Sequence, residues 1–392
     1  MTRHLSFRTS LSRVLLIVVV VSTSRAFADD PLRASLSTLI EPRLKSKELV
    51  AVVVGVIDPD FNQPRVFGFG KTSLDGSATT PDGSTLFEIG SITKVFTSVA
   101  LSVLVEEGKA RLDEPVLALL PEGTKLASRD GRAITLEDLA THTSTLPRVP
   151  SIVFARTLAG KDPYADVTEK DVYDFLEKWT PRKPIGETYD YSNLGAGLLG
   201  IALARRAEMS YGDLLDSKIL GPLGMKDTRL TLKPNDLNRL AKPYHVGGGA
   251  STNWRFDALA GCGGLKSSVD DMLIFARANL DASLLKSALS KALSMALKPR
   301  HLTTNAQTRI GLGWHVTESK PPGMPIFWHN GGTGGYRSYL AIEPSSGRAV
   351  VVLANTESGV ESLGNETLRA LRVAKKQRET AKDPKKTGEN GD

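Results

Sequence analysis

Strand-like sequence lies at both ends of this 392-residue chain, with a long, mostly helical stretch between them. Near the N-terminus, residues 49–57 form a β-branched run and residues 65–70 a shorter one. Near the C-terminus, residues 310–316, 326–329, 336–343 and 348–354 read as strands, with Ser345-Ser346-Gly347 as a tight turn. Helical periodicity appears at residues 32–44, and from 91 to about 300 it is cut repeatedly by proline and glycine. The helices expected there are 91–107, closed by Gly108, then 136–141, 169–179, 193–207, 211–219 and 268–280. A last helix is expected from 358 to about 375. Two ends that supply strands and a middle that supplies helices predict an α/β (α+β) chain with one sheet built from both termini. The expected units are a sheet domain of residues 29–112 plus 301–373, an inserted mainly helical domain of 113–300, and a disordered polar tail of 374–392. A cleft between two such lobes is a usual place for a site.

The N-terminus carries a different signal. Arg3, Arg8 and Arg13 precede eight consecutive apolar residues, Val14 to Val21, and Ala26-Phe27-Ala28 follows as a small-residue cleavage site. This is the layout of a secretory signal peptide over residues 1–28, and eight apolar residues fall well short of the roughly 20 that a membrane-spanning helix needs. The mature chain is expected to start at Asp29, to cross the inner membrane and to work in the periplasm without a stable membrane span. The charge agrees. The net +7 drops to +3 once the four arginines of the first 28 residues are set aside, so no cationic face is left for nucleic acid. Cys262 is the single cysteine, which excludes an internal disulfide; between two glycines and with no evident base, it reads as a small packed residue.

Three elements carry chemistry. The first is Gly90-Ser91-Ile92-Thr93-Lys94, an S-x-x-K that puts serine and lysine one turn apart on one helix face. A serine hydroxyl needs a neighbouring base to attack, and a lysine can act as one where its surroundings lower its pKa. A second S-x-x-K, Ser283 to Lys286, reads as ordinary helix surface. What favours the first is the helix behind it, too apolar to face water. The second element is Tyr191-Ser192-Asn193, the one Y-x-N among eight tyrosines. A phenol beside an ammonium can shuttle protons, and Asn193 can orient the lysine and hold a substrate amide. Asn193 can equally be the N-cap of the helix that follows. The third is His329-Asn330-Gly331-Gly332-Thr333-Gly334-Gly335 after Trp328. There, glycines between strands let a substrate lie against the backbone, and a main-chain N–H can join that of Ser91 in an oxyanion hole. Each such donor is worth about 3–4 kcal/mol of barrier. The same stretch taken alone reads as a flexible hairpin turn.

Together these elements resemble the serine β-lactamases and penicillin-binding proteins, which combine S-x-x-K, a tyrosine or serine motif ending in Asn, and a K-T-G strand. The Y-x-N form is similar to the class C β-lactamases and their relatives, the low-molecular-mass DD-peptidases and family VIII carboxylesterases. The likeness runs from about residue 40 to 371. It includes Leu139-Ala140-Thr141-His142-Thr143-Ser144, Pro222-Leu223-Gly224-Met225, Gly263-Gly264-Leu265 and Gly311-Leu312-Gly313-Trp314. It implies an antiparallel sheet flanked by helices, with Ser91 as acylated nucleophile, Lys94 as its activating partner and Tyr191 as proton shuttle. Asn193, His329, Asn330, Gly331 and Gly332 would bind substrate, the Gly332 N–H as second oxyanion donor. The departures are His329 and Asn330 in place of the K-T-G lysine and threonine, which weaken the hold on a substrate carboxylate. Thr145 stands where glycine is common, a matter of loop shape, and His142 reads as a structural hydrogen-bonder.

The implied activity is amide hydrolysis in the cell envelope, on a β-lactam ring, a D-Ala-D-Ala peptidoglycan peptide, or both, with no cofactor. A carboxylesterase on the same machinery is the alternative. A penicillin sensor or scaffold without catalysis is a third reading. No G-x-S-x-G is present, which excludes the α/β-hydrolase arrangement, and the six histidines show no H-x-H or H-E-x-x-H spacing for a metal.

Overall fold

The computed structural model describes residues 30–382 apart from 77, 286 and 319–322, so the expected signal segment lies outside the described residues, as does the end of the polar tail. The strands in chain order are β1 (Ala51–Ile57), β2 (Arg65–Gly70), β3 (Leu86–Glu88), β4 (Lys266–Ser268), β5 (His301–Leu302), β6 (Thr308–Ile310), β7 (His315–Thr317), β8 (Ile326–Gly332), β9 (Arg337–Glu343) and β10 (Arg348–Ala354). Eight of them form one sheet in the order β2-β1-β10-β9-β8-β7-β6-β5. Every pairing is antiparallel. β1 from one end of the chain lies beside β10 from the other, the sheet expected from the sequence.

Successive side chains of β1 and β10 point to opposite faces, and both strands are buried along their whole length because both faces are covered. Val52, Val54, Val350 and Val352 meet the helices Pro31–Lys45 and Glu361–Lys382 on one side. Val53, Val351 and Leu353 join the large cluster under the helical lobe on the other. The Thr93–Glu106 helix runs through that cluster, and its residues 93 to 104 are all buried. A helix apolar all round is stable only with neighbours on every side. Here the helices Asn193–Ala207 and Ala288–Leu297 supply them. Among the described residues no helix is long and apolar enough to cross a membrane.

The structure differs from the sequence reading at several elements. The strand expected at 310–316 is a hairpin of β6 and β7, because Gly313 takes a left-handed conformation (φ 73°) and the Gly311 N–H bonds the Trp314 carbonyl at 2.7 Å. The helix expected at 211–219 is α-helical over Tyr211–Leu215 and continues as a wider turn through Leu220. The last helix runs to Lys382, past the expected end near 375 and into the segment expected to be a disordered tail. The helices Ser151–Leu158 and Ala288–Leu297 and the short β3–β4 pair carry signals too brief or too uniformly apolar to assign from pattern.

Candidate active site

Ser91 stands in a single 3-10 turn, Gly90–Ile92, that leads into the Thr93–Glu106 helix. The turn is held in place by backbone. The Ile89 N–H bonds the Leu265 carbonyl at 3.0 Å, and the Ser338 hydroxyl donates to the Ile89 carbonyl at 2.7 Å. Gly90 has φ 49°, and a Cβ there would stand 2.6 Å from the Gly332 nitrogen. Position 90 therefore needs glycine twice over, for its dihedral and for its clearance. The close approach brings the Gly332 amide alongside the serine turn.

Lys94 is buried, and its Nζ donates to Ser91 Oγ at 2.9 Å and to the Cys262 carbonyl at 2.6 Å. The segment carrying Cys262 is laced along the same helix. The Thr97 hydroxyl donates to the Gly261 carbonyl at 2.7 Å, and the Leu265 N–H donates to Thr93 Oγ1 at 3.1 Å. The Cys262 thiol is buried, and burial pushes its pKa up to about 11, so it stays protonated near neutrality. The contribution of this residue to the site is its carbonyl oxygen, which the sequence reading did not anticipate.

Tyr191 lies across the lysine, with Lys94 Nζ 4.9 Å from the centre of its ring and Arg148 Cζ at 5.1 Å. The helix cap after it is Ser192, whose Oγ accepts from the Gly195 N–H at 2.8 Å and donates to the Pro147 carbonyl at 2.7 Å. Asn193 is thus free of the capping task it was expected to share. Its amide donates to the Tyr164 hydroxyl at 2.6 Å, and the acceptor beside Lys94 is Cys262 rather than Asn193. His142 accepts the Ser192 N–H at 3.3 Å through Nδ1, which makes it the structural hydrogen-bonder expected. Both His142 and Thr145 have left-handed dihedrals, φ 59° and 62°, which accounts for a preference for glycine at position 145.

The alternation of β8 decides what its motif presents. Phe327, His329 and Gly331 face the helical lobe, while Trp328 and Asn330 face the other way. His329 is fully buried, with its ring centre 6.4 Å from that of Tyr191 and 5.1 Å from that of His315. It does not line the cleft. Burial, and then the charges nearby, push its pKa well below the usual histidine range, so the ring is neutral at physiological pH. Asn330 donates its amide to Glu361 Oε1 at 2.6 Å. Gly331 packs so closely on the serine turn that a Cβ would stand 2.0 Å from the Ile89 carbonyl oxygen. The resulting cleft, about 630 Å³, is lined by Ser91, Tyr191, Asn193, Asn330, Gly331 and Gly332. Tyr164 and Trp254 add an aromatic wall, their rings 5.8 Å apart. A larger cavity, about 810 Å³ around Tyr211 and Leu230, lies apart from these residues.

Fold and cleft together define a serine hydrolase whose serine is paired with a lysine rather than a histidine. The chain belongs to the β-lactamase family: the family model described as Beta-lactamase matches residues 36–375. It is 31% identical to a D-alanyl-D-alanine-carboxypeptidase/endopeptidase, AmpH, of Escherichia coli, over 75% of this chain and 77% of that one. It is also 26% identical to a β-lactamase of Pseudomonas fluorescens, over 83% and 93% of the two chains. Among solved structures it is similar to a class C β-lactamase from Rhodobacter sphaeroides (TM-score 0.69, 26% identity, 84% of this chain and 95% of that one). A β-lactamase/D-alanine carboxypeptidase from Pseudomonas syringae shares the fold, with TM-score 0.74 at 20% identity over 88% and 98% of the chains.

Proposed function

We propose that this chain is an exported hydrolase that opens an amide, either a β-lactam ring or a D-alanyl-D-alanine peptide, through an acyl-enzyme on Ser91. The observation that carries the reading is the 2.9 Å contact between Ser91 Oγ and a lysine nitrogen withdrawn from water. A lysine is costly to bury, and a site that buries one beside a hydroxyl has a chemical use for it. Ser91 Oγ attacks the carbonyl carbon while its proton passes to the Lys94–Tyr191 pair. The oxyanion that forms accepts from the N–H groups of Ser91 and Gly332. Collapse of the tetrahedral intermediate expels the amine, which takes a proton through Tyr191, and a water molecule then releases the acyl group by the reverse proton path. Asn193 holds the acyl-side amide, and the substrate backbone lies along Asn330, Gly331 and Gly332. His329 supports the Tyr191 ring from behind as a neutral group. Export rests on residues 1–28, and the periplasm is the matching compartment.

An esterase reading draws on one observation. The position of the K-T-G lysine holds a buried neutral histidine, so the cation that would favour an anionic amide substrate is absent from that place. Mass spectrometry of the mature protein mixed with a penicillin, sampled from seconds to an hour beside Ser91→Ala, separates the readings. The expected result is an adduct on the Ser91 peptide that Ser91→Ala abolishes. Persistence of the adduct identifies a penicillin-binding DD-peptidase, and clearance with loss of drug identifies a β-lactamase. No adduct and no consumption would sink the amide reading in favour of the esterase.

A further inference from the structure

The ring of Tyr191 lies against two cations, and the reaction proposed above uses one of them. Lys94 Nζ stands 4.9 Å from the ring centre and Arg148 Cζ 5.1 Å. The arginine is tied to the tyrosine segment through backbone. Its carbonyl accepts the Asn193 N–H at 2.8 Å and the Leu194 N–H at 3.2 Å, and the Pro147 carbonyl accepts the Ser192 hydroxyl at 2.7 Å. Pro147 and Pro150 stiffen the chain on either side. Among the described residues no carboxylate pairs with Arg148. The one acid lining the cleft is Glu361, which accepts from Asn330, and Asp190, next to Tyr191 in the chain, pairs with Lys183 at 3.2 Å. The other titratable groups around the ring are uncharged near neutrality. His142, its ring centre 4.4 Å from that of Tyr191, and His329 are pushed well below the usual histidine range, by burial first, and His315 is down to about 4. Burial raises the Tyr164 and Tyr189 phenols above their ordinary value.

We propose that Arg148 is a positioning residue for the reaction, its charge stabilising the phenolate form of Tyr191 so that the phenolate oxygen receives the Ser91 proton. This rests on the acyl-enzyme reading above. If the Lys94–Tyr191 pair is to take a proton from Ser91, one of the two must start without its own. With Lys94 kept as an ammonium and Arg148 on the ring, a phenolate at Tyr191 has two positive neighbours. The β8 strand adds none, because the position of the K-T-G lysine holds the buried neutral His329. The loop that carries Arg148 therefore supplies the second charge, from the opposite side of the cleft. Arg148 is exposed, so its effect has the size of a solvent-screened pair, about half a unit to one unit on the pH axis, and weakens in salt.

The first readout is the rate of acylation by benzylpenicillin between about pH 5 and pH 10, for the wild type, Arg148→Gln and Arg148→Lys. A cation favours the anion, so its loss raises the pH at which the phenolate forms. The acid limb of the profile is expected to move up by about half a unit to one unit in Arg148→Gln and to stay near its wild-type position in Arg148→Lys. High salt is expected to shrink the gap between the wild type and Arg148→Gln. Slowing by one factor at every pH, with the limb in place, would make the arginine a prop for its loop or a binder of substrate, and overturn the proposal. The second readout needs no turnover. The ultraviolet phenolate absorbance of the wild type minus that of Tyr191→Phe, followed against pH, isolates Tyr191. Its midpoint is expected to rise by the same amount when both proteins also carry Arg148→Gln, and an unmoved midpoint would overturn the proposal. If Ser91→Ala consumes benzylpenicillin as the wild type does, the acyl-enzyme reading fails, while the absorbance titration still reports on Arg148.

Discussion

At the scale of single residues, three histidines near the buried Lys94 are kept neutral. His142, His315 and His329 all have pKa values pushed down, by burial first and then by charges that include Lys94. For His315 the drop is from 6.5 to about 4. The unfolded chain takes up a proton at that histidine near pH 6.5, whereas the folded chain resists until about pH 4. Between those values the unfolded state binds more protons, so stability falls as pH falls through the window and is present in full above it. The shift corresponds to about 3 kcal/mol. The expected outcome is a melting temperature that declines steadily from about pH 7 to pH 4, and declines less in His315→Gln, which can still bond the Tyr189 hydroxyl now 3.0 Å from His315 Nε2. Equal declines in the two proteins would show that His315 is not the group that titrates. At this scale Ser91, Lys94 and Tyr191, which the structure brings together, were legible as candidates because S-x-x-K and Y-x-N are chemical patterns in themselves. The sequence did not reveal the Cys262 carbonyl, since a main-chain oxygen leaves no mark on residue type.

At the scale of elements, the geometry around Ser91 depends on how closely β8 can approach the serine turn. Gly331 and Gly90 make that approach from its two sides, and neither has room for a Cβ. Gly331→Ala would drive a methyl group to 2.0 Å from the Ile89 carbonyl, part of the backbone that positions Ser91. The expected cost is about 2 kcal/mol or more in urea denaturation, with loss of penicillin acylation out of proportion to that change. Gly123→Ala is the comparison, since φ there is 82° but no atom lies within 4 Å of the added Cβ. Only the dihedral is strained, at about 1–2 kcal/mol. A Gly331→Ala protein as active and nearly as stable as Gly123→Ala would refute the close-approach account. Long β-branched strands and capped helices were legible because their periodicity extends over several residues. The 310–316 hairpin was not, because a strand pattern interrupted by two glycines reads the same whether the chain bulges or reverses. The Ser192 cap was hidden by its neighbour, as serine and asparagine are both good caps and only the backbone dihedrals choose between them.

At the scale of the whole molecule, one core cluster runs through both of the units expected from the sequence, residues 29–112 plus 301–373 and residues 113–300. The cluster that contains Val53, Leu340 and Val351 of the sheet also contains Phe96 of the serine helix and Leu198 and Leu214 of the helical lobe. Phe96 stacks on Phe275 at 4.2 Å between ring centres, so the helix bearing Lys94 is packed from both lobes at once. A segment whose apolar face is completed by another segment cannot hold its fold alone. Residues 113–300 expressed by themselves are therefore expected to show neither a cooperative melt nor dispersed amide resonances. The intact protein is expected to unfold in one calorimetric transition whose van't Hoff and calorimetric enthalpies agree. The placement of Ser91 beside the shared core explains why this should be so. The cleft is lined by residues of both expected units, and the 2.9 Å contact between Ser91 and Lys94 sits between Gly331 of the sheet and the Cys262 carbonyl. Two separated transitions, with acylation lost in the first, would mean instead that the lobes are independent and that the cleft opens by their parting.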